Sequence, residues 1–213
     1  MKLFAKKFGK VLAFLLVACC VFAFAACGGT TADDEGGKED EFVQVAGSAG
    51  LVYSLNEDGE SYTFSNLGTC TDSNVVIGNW YNGKPVTGIG EGACRDDEGD
   101  FDVVVESITV SEGITDVAFR GLQNWNVKKI ILPDSLEVTG MAAFRLNAKL
   151  ETIVIGSGLK TISSDAFSGI ETAFDVYYRG TEAQWNAITD EGGNDILEEC
   201  TFTYNYTGDG SEL

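Results

Sequence analysis

The sequence predicts a mainly-β solenoid, in which one short strand per repeat of about 23 residues stacks on the next. Four segments share the pattern apolar-x-x-apolar-x-apolar, and steps of 22, 23 and 23 residues separate its central positions, which are Ile108, Ile130, Ile153 and Val176. An alanine–phenylalanine pair recurs between the strands, at 118–119, 143–144 and 166–167. One such repeat cannot bury its apolar face alone, so the stacked copies are expected to share one continuous core.

Residues 1–26 are predicted to be a secretory signal peptide. Four lysines and no acidic residue open the chain, and the stretch from Val11 to Phe24 is almost entirely apolar. A helix that spans a bilayer needs about 20 apolar residues, so this shorter stretch favours an export signal.

The segment Phe24-Ala-Ala-Cys27 resembles the lipobox of bacterial lipoproteins, although phenylalanine replaces the usual leucine at its first position. This resemblance implies that Cys27 is diacylated and becomes the new N-terminus. The segment from Leu16 to Cys19 also fits the box, but cleavage there would leave an apolar tail. A plain signal peptide with an incidental cysteine is the alternative.

The segment that follows the signal is predicted to be a tether. Residues 27–45 combine the lipidated cysteine with an acidic stretch that contains no aromatic and no large aliphatic residue between Gly28 and Glu41. Such a composition cannot bury enough surface to order itself. Residues 46–74 are predicted to be an N-terminal β cap, a meander in which strands near Tyr53 and Tyr62 lead to one at Val75.

Residues 75–180 are predicted to contain the repeats. Along each strand, apolar residues that point inward alternate with residues that point outward. A degenerate first copy places Cys94 where later repeats have phenylalanine, which indicates a buried apolar thiol. The distance from Ile108 to Ala118 is 10 residues, against 13 in the two repeats that follow, so this repeat is expected to lack a turn.

Residues 181–213 are predicted to be the C-terminal cap. The segment Thr181-Glu-Ala-Gln184 is a capping box that indicates a short helix through Ile188. The alternating segment from Thr201 to Thr207 is predicted to be a closing strand.

Three segments closely resemble BspA-like leucine-rich repeat proteins: Tyr81–Gly90 (YNGKPVTGIG), Ile131–Leu136 (ILPDSL) and Tyr177–Ile188 (YYRGTEAQWNAI). The resemblance covers the chain from about Leu51 onwards. It implies a leucine-rich-repeat solenoid. Proteins of this family are often on the bacterial surface or secreted, and some act as adhesins. Catalysis is not a feature of the fold.

Composition excludes several function classes. The chain has 14 basic and 33 acidic residues, and removal of residues 1–26 with their four lysines leaves 10 basic residues and a net charge of −23. Such a surface repels nucleic acid and anionic lipid, so lipid chains are expected to hold the protein at the outer face of the cell membrane. There is no histidine, which removes imidazole catalysis and histidine metal sites. We therefore expect no enzyme activity, no cofactor and no metal site.

Three weaker candidates for chemistry remain. The acidic loop 95–102 has calcium-type oxygen ligands, but its spacing fails the EF-hand pattern and favours a solvated loop. The acidic residues between Asp190 and Glu199 have nothing to fix a catalytic separation. Trp125 is the best candidate for an exposed platform that stacks on a sugar. One disulfide among Cys70, Cys94 and Cys200 is possible.

The outward strand face is the candidate ligand-binding surface. It is expected to carry the outward row, defined as Thr109, Ile131, Val154 and Tyr177, beside Lys129 and Thr152. An apolar row on a very acidic protein indicates contact with a protein or glycan, although β-branched residues also suit a pleated sheet without any ligand. The sequence therefore predicts a lipid-anchored, non-catalytic binding module of adhesion type. The alternative is a structural envelope or spacer protein with no specific ligand.

Overall fold

The computed structural model describes residues 43–93 and 105–213. Within these residues the chain forms short strands, one α-helix and one 3-10 helix. The strands are β1 (Val52–Leu55), β2 (Tyr62–Asn66), β3 (Asn74–Ile77), β4 (Trp80–Tyr81), β5 (Lys84–Ile89), β6 (Ser107–Val110), β7 (Asp116–Val117), β8 (Lys129–Ile131), β9 (Val138–Thr139), β10 (Thr152–Ile155), β11 (Thr161–Ile162), β12 (Asp175–Tyr178), β13 (Thr189–Asp190) and β14 (Thr201–Thr203). The helices are α1 (Glu182–Trp185) and the 3-10 helix Asp195–Glu199. None of the described helices is long and apolar enough to cross a membrane.

The first sheet confirms the predicted solenoid. Its strands run in the order β14-β12-β10-β8-β6-β3, and all of its neighbours are parallel. Ile108 lies beside Ile130, Ile130 beside Ile153, and Ile153 beside Val176, as the repeat period predicts. The prediction that the Val75 strand belongs to a meander is wrong. Val75 lies beside Ile108 in a parallel pair, and strand β5, which comes between them in the chain, belongs to the opposite wall of the solenoid.

A second sheet forms that opposite wall, in the order β1-β2-β5-β7-β9-β11-β13 with β4 paired to β5. Each coil thus contributes a strand to both walls. Most strands of the second sheet within the repeats are two residues long, with Val117, Thr139 and Ile162 in register. The sequence does not predict this sheet, because two residues are too few to show a period.

The alanine–phenylalanine pairs at 143–144 and 166–167 lie where they are predicted, but the pair at 118–119 does not. The backbone N–H of Ala143 donates to the carbonyl of Gly140, and the equivalent bond in the preceding coil runs from Gly121 to Ala118. Gly121-Leu122 therefore takes the place of the pair. The distance from Ile108 to Gly121 is 13 residues, so the prediction that this repeat lacks a turn is wrong.

A left-handed residue before each of these pairs supports the corrected register. Arg120, Ala142 and Asp165 have φ angles of 58°, 57° and 59°. Non-glycine residues visit this region rarely and at a cost. The same backbone turn is therefore built into successive coils whatever side chain stands there.

The core lies between the two sheets. Phe144 and Phe167 are fully buried and their rings stack, with centroids 5.0 Å apart. Ile130 and Ile153, which point inward from the first sheet, are also fully buried. Neighbouring coils thus support each other through one continuous apolar column, which is the expected source of stability in a solenoid.

The two ends differ in construction. At the N-terminal end β1 and β2 form an antiparallel hairpin, and β2 pairs in parallel with β5. At the C-terminal end Thr181 and Gln184 form the predicted capping box, with each side chain bonded to the other's backbone N–H. The helix ends at Trp185 and not at Ile188. The predicted closing strand covers only the first three residues of its segment, Thr201–Thr203.

A buried asparagine side chain completes the backbone hydrogen bonding at the C-terminal end of the solenoid. The side-chain oxygen of Asn194 accepts from the N–H of Phe167 at 3.0 Å, and its nitrogen donates to the carbonyl of Ser163 at 3.2 Å. In the coils before it, the N–H that corresponds to Phe167 donates to a backbone carbonyl of the following coil. Asn194 therefore supplies the acceptor that a further coil would have supplied.

Candidate functional site

The outward row crosses the first sheet as one line. Thr109 lies beside Ile131, Ile131 beside Val154, and Val154 beside Tyr177, each in a parallel register. The side chains of Ile131 and Val154 are not part of the core between the sheets. Lys129 and Thr152 lie beside each other on the same strands. The structure therefore brings all six predicted residues to one face.

This face is not open along its whole length. Only 7% of Ile131 and none of Val154 is exposed, whereas Thr109 and Tyr177 are half-buried. The cover is the chain's own C-terminal tail, defined as residues 204–213. The expectation that the centre of the row is exposed is therefore wrong. Whether the face binds a ligand stays a prediction.

Lys129 holds the tail by its main chain. Its ammonium group donates to the carbonyl oxygen of Gly210 and to a main-chain oxygen of Leu213, both at 2.8 Å. An ammonium group has three donors and no acceptor, so two of the three are used on the tail. Lys129 therefore binds main-chain oxygens of the tail in this structure.

Gly210 fits directly over the two buried residues of the row. It has a φ of +85°, and a Cβ at this position would lie 2.8 Å from Ile131 Cδ1 and 3.2 Å from Val154 Cγ2. Both the backbone conformation and the close approach favour glycine here. The tail thus passes so close to the sheet that a side chain at this point would collide with it.

The tail is also folded against itself and against an aromatic neighbour. The ring of Tyr206 packs on Tyr177, with centroids 5.1 Å apart. Its hydroxyl donates to the Glu212 carboxylate and accepts from the N–H of Gly210 at 3.1 Å. Burial, and then the hydrogen bond to Glu212, raise the pKa of Tyr206 to about 12. The phenol is therefore neutral at physiological pH and keeps its donor.

Arg179 stands beside the tail on the same face. Its guanidinium lies 3.8 Å from Asp134 and 4.0 Å from Glu112, and it is largely buried. One of its nitrogens also donates to the carbonyl of Gly208 at 3.5 Å. The last backbone bond from the tail to the first sheet runs from the N–H of Tyr206 to the carbonyl of Tyr178. Beyond Tyr206, the observed hydrogen bonds between the tail and the solenoid are donated by the side chains of Lys129 and Arg179.

A second feature is a cavity of about 270 Å³ at the C-terminal cap, lined by Trp185, Phe202, Asp190, Asp195 and Glu198 among others. It collects part of the acidic stretch that the sequence singles out. One Asp190 oxygen accepts from the N–H of Gly192 at 2.8 Å and from the Asn194 amide at 2.7 Å. This carboxylate therefore has a structural role in holding the cap.

Two of the three tryptophans, Trp125 and Trp185, lie in the core and in the C-terminal cap. The prediction that Trp125 is an exposed platform is wrong, because the side chain is buried in the core and its ring lies 6.4 Å from that of Phe64. Trp185 packs within the C-terminal cap, where its ring lies 5.2 Å from that of Tyr178 and 4.8 Å from that of Phe202.

The structure describes two of the four cysteines that follow the predicted signal peptide. Cys70 and Cys200 are free thiols, and burial raises the pKa of the Cys200 thiol. Cys27, Cys94 and the acidic loop 95–102 lie outside the described residues.

The tail residues are the part of the face that the sequence does not predict. Gly208-Asp-Gly-Ser carries no apolar period and has the composition of a turn. Its contacts depend on main-chain carbonyls and on the absence of a side chain at Gly210, and neither leaves a pattern of residue types. Tyr206 continues the alternation of the closing strand in the sequence, but its ring packs on Tyr177 of the outward row, whereas Tyr204 packs on Tyr178 and Phe202.

Comparison with known proteins agrees with this fold. Residues 100–179 match the family model described as BspA type Leucine rich repeat region, in six copies. The chain thus carries BspA-type leucine-rich repeats, as its motifs predict. No protein with a curated description matches the chain.

Two solved structures are similar. The crystal structure of a leucine-rich repeat protein from T. pallidum (TpLRR) matches with a TM-score of 0.55 and 21% identity, over 68% of this chain and 63% of that one. The chain thus spans less than two thirds of that protein, and the likeness shows the solenoid fold. The crystal structure of the pneumococcal vaccine antigen PcpA matches with a TM-score of 0.38 and 16% identity, over 72% of this chain and 51% of that one.

Proposed function

We propose that this chain, whose residues 100–179 are BspA-type leucine-rich repeats, is a lipid-anchored protein of the bacterial cell surface that binds a protein or glycan ligand and catalyses no reaction. The chain has no histidine, and the repeat scaffold offers a rigid face instead of a cleft with paired catalytic groups. No cofactor, metal ion or nucleic acid is expected to take part.

The anchor rests on the export signal and on the position of Cys27 within a lipobox-like segment. One acyl chain binds a membrane only marginally, whereas two give stable anchoring, so a diacylated cysteine would hold even this acidic protein.

Cells that express the chain should incorporate radiolabelled palmitate into it, and the Cys27→Ala variant should incorporate none, because the thiol is the acceptor. The variant should also move from the membrane fraction to the soluble fraction. Cys70→Ala is the matched control and should keep the label. Label that persists in Cys27→Ala would move the site to Cys19 or Cys20.

The single observation that carries the binding function is the outward face of the first sheet, where a peptide segment already lies. The face combines an apolar row with Lys129 and Arg179, two of the 14 basic residues in a chain that has 33 acidic ones. Its parallel strands fix these side chains about 4.8 Å apart from strand to strand. A strip of this width suits an extended ligand better than a large globular interface.

We expect the chain to bind a component of a panel of extracellular-matrix proteins and purified peptidoglycan in a saturable way. Thr109→Glu with Thr152→Glu should weaken that binding at least tenfold, because two charged side chains would obstruct the face. Thr161→Glu with Thr189→Glu, on the second sheet, adds the same charge and should leave the affinity unchanged. Equal losses in both double variants would remove the first-sheet face as the site.

A spacer protein without a specific ligand is the second candidate, and one observation favours it. The tail covers the centre of the face, so the apolar residues Ile131 and Val154 are already buried by a segment of the same chain. In that case no component of the panel would show saturable binding, although palmitate labelling would persist.

A further inference from the structure

We infer that the outward face of the first sheet is a groove for an extended peptide with glycine at its centre, and that the tail 204–213 is an internal occupant that competes with such a peptide. The inference rests on the proposed binding function and specifies the class of ligand and its regulation. A named segment of the chain is seated on the face, and the contacts that hold it are those a peptide in trans would use.

The contacts recognise a peptide main chain. Lys129 donates to the carbonyl oxygen of Gly210 and to a main-chain oxygen of Leu213, and Arg179 donates to the carbonyl oxygen of Gly208. Carbonyl groups recur along any peptide, and they are far rarer in a polysaccharide. The cations of the face therefore favour a peptide ligand over a glycan.

The apolar row selects for glycine. The ideal Cβ of residue 210 would lie 2.8 Å from Ile131 Cδ1 and 3.2 Å from Val154 Cγ2, and φ at this residue is +85°. A ligand that follows the path of the tail is therefore expected to favour glycine at this point. Beside it, Tyr177 offers a ring on which an aromatic side chain of the ligand can pack, as Tyr206 does. The acidic residues Asp209 and Glu212 suit a face that holds Lys129 and Arg179.

The tail is attached in a way that allows exchange. Strand β14 ends at Thr203, and the last backbone bond from the tail to the sheet is made at Tyr206. The remaining residues depend on the Lys129 and Arg179 bonds and on the fit of Gly210. A short flexible tether gives its segment an effective concentration on the order of 1 mM. If the free segment bound with a dissociation constant of about 100 µM, the tail would weaken a competitor roughly tenfold.

Displacement of the tail can be tested in the full chain with one substitution and a matched control. Gly210→Asp puts a carboxylate against Ile131 and Val154. Gly83→Asp adds the same charge at nearly the same φ, +83° against +85°, with nothing within 4 Å of the new Cβ. Aspartate tolerates this backbone region better than most residues, so strain is small and equal in both. Chymotrypsin should cleave after Tyr206 faster in Gly210→Asp than in the parent chain or in Gly83→Asp.

The probe is a synthetic peptide of residues 204–213 (YNYTGDGSEL), with binding measured by fluorescence anisotropy. It should bind the Gly210→Asp protein at least tenfold more tightly than the parent or Gly83→Asp proteins. The same peptide with aspartate in place of the glycine that corresponds to Gly210 should bind the parent, Gly210→Asp and Gly83→Asp proteins weakly. Lys129→Ala should release the tail to chymotrypsin but should not bind the peptide, because the groove has lost its main contact.

Three results would overturn the inference: unchanged cleavage in Gly210→Asp, equal peptide binding by all proteins, or equal binding of the two peptides. Saturable binding of a panel component by the parent chain is measured in a separate experiment. If it persists while the peptide experiment fails, only the tail mechanism is lost. If the peptide binds as expected and no panel component binds, the groove stands and the adhesion function is lost.

Discussion

Replacement of Phe144 by alanine should lower the free energy of unfolding by about 3–5 kcal/mol, because the ring is fully buried and the coils cannot close the space it leaves. In a domain of this size the melting temperature should fall on the order of 10 °C. Phe144 stacks on Phe167 of the next coil, so the loss should extend to that coil. Thermal and chemical denaturation followed by circular dichroism would measure both quantities.

Phe119 is the matched control for this change. It stands in the alanine–phenylalanine pair that the sequence aligns with Phe144, but it is half-buried and its ring packs 4.5 Å from the Arg120 guanidinium. Phe119→Ala should therefore cost less than about 1 kcal/mol, whereas Leu122→Ala should cost about 2–5 kcal/mol. Equal effects of Phe119→Ala and Phe144→Ala would restore the sequence-based register and contradict the observed one.

Replacement of Asn194 by leucine should destabilise the protein by roughly 2–4 kcal/mol, since the buried N–H of Phe167 loses its acceptor and Ser163 and Asp190 lose a donor. The damage should begin at the C-terminal cap, because the lost bonds all lie in the last two coils. Hydrogen exchange should therefore show faster exchange of the Phe167 amide before the rest of the solenoid opens.

Asn186→Leu is the control, because Asn186 is exposed and lies just after helix α1. This change should alter the free energy of unfolding by less than about 0.5 kcal/mol. Asn194→Asp would keep an acceptor for Phe167 but lose the donor bonds to Ser163, Asp190 and Gly192 and set a buried carboxylate against that of Asp190, so this variant should also be less stable than the parent. An Asn194→Leu variant as stable as the parent would show that the Asn194 amide does not stabilise the C-terminal end of the solenoid.

The repeat period predicts most of the first sheet because the inward residues of strands β6, β8, β10 and β12 must meet one another. That physical requirement leaves a spacing in the chain, and the observed register of Ile108, Ile130 and Ile153 follows from it. The recurrence of the alanine–phenylalanine pair predicts the register less well. Leu122 fills the place of Phe144 because the core needs volume at that position and accepts either side chain.

Two features of the candidate site could not be predicted, for different reasons. The burial of Ile131 and Val154 depends on a segment about 60 to 80 residues away in sequence, and no local pattern records that contact. Trp125 stands among polar neighbours in the sequence, which suggests exposure, but the coil turns its ring into the core. In both cases tertiary contacts decide what the local composition leaves open.

The parallel pairing between successive coils has a kinetic consequence. Neighbouring strands of the first sheet from β6 to β12 are paired with one another at separations of about 23 residues, so a coil can form as soon as its own residues have left the ribosome or the export channel. The antiparallel β1–β2 hairpin emerges first and offers an edge on which β5 can form. Growth then proceeds in one direction along the chain. Residues 204–213 emerge after all of the described strands, so each newly made molecule should pass through a stage in which these strands are complete and the outer face is still uncovered.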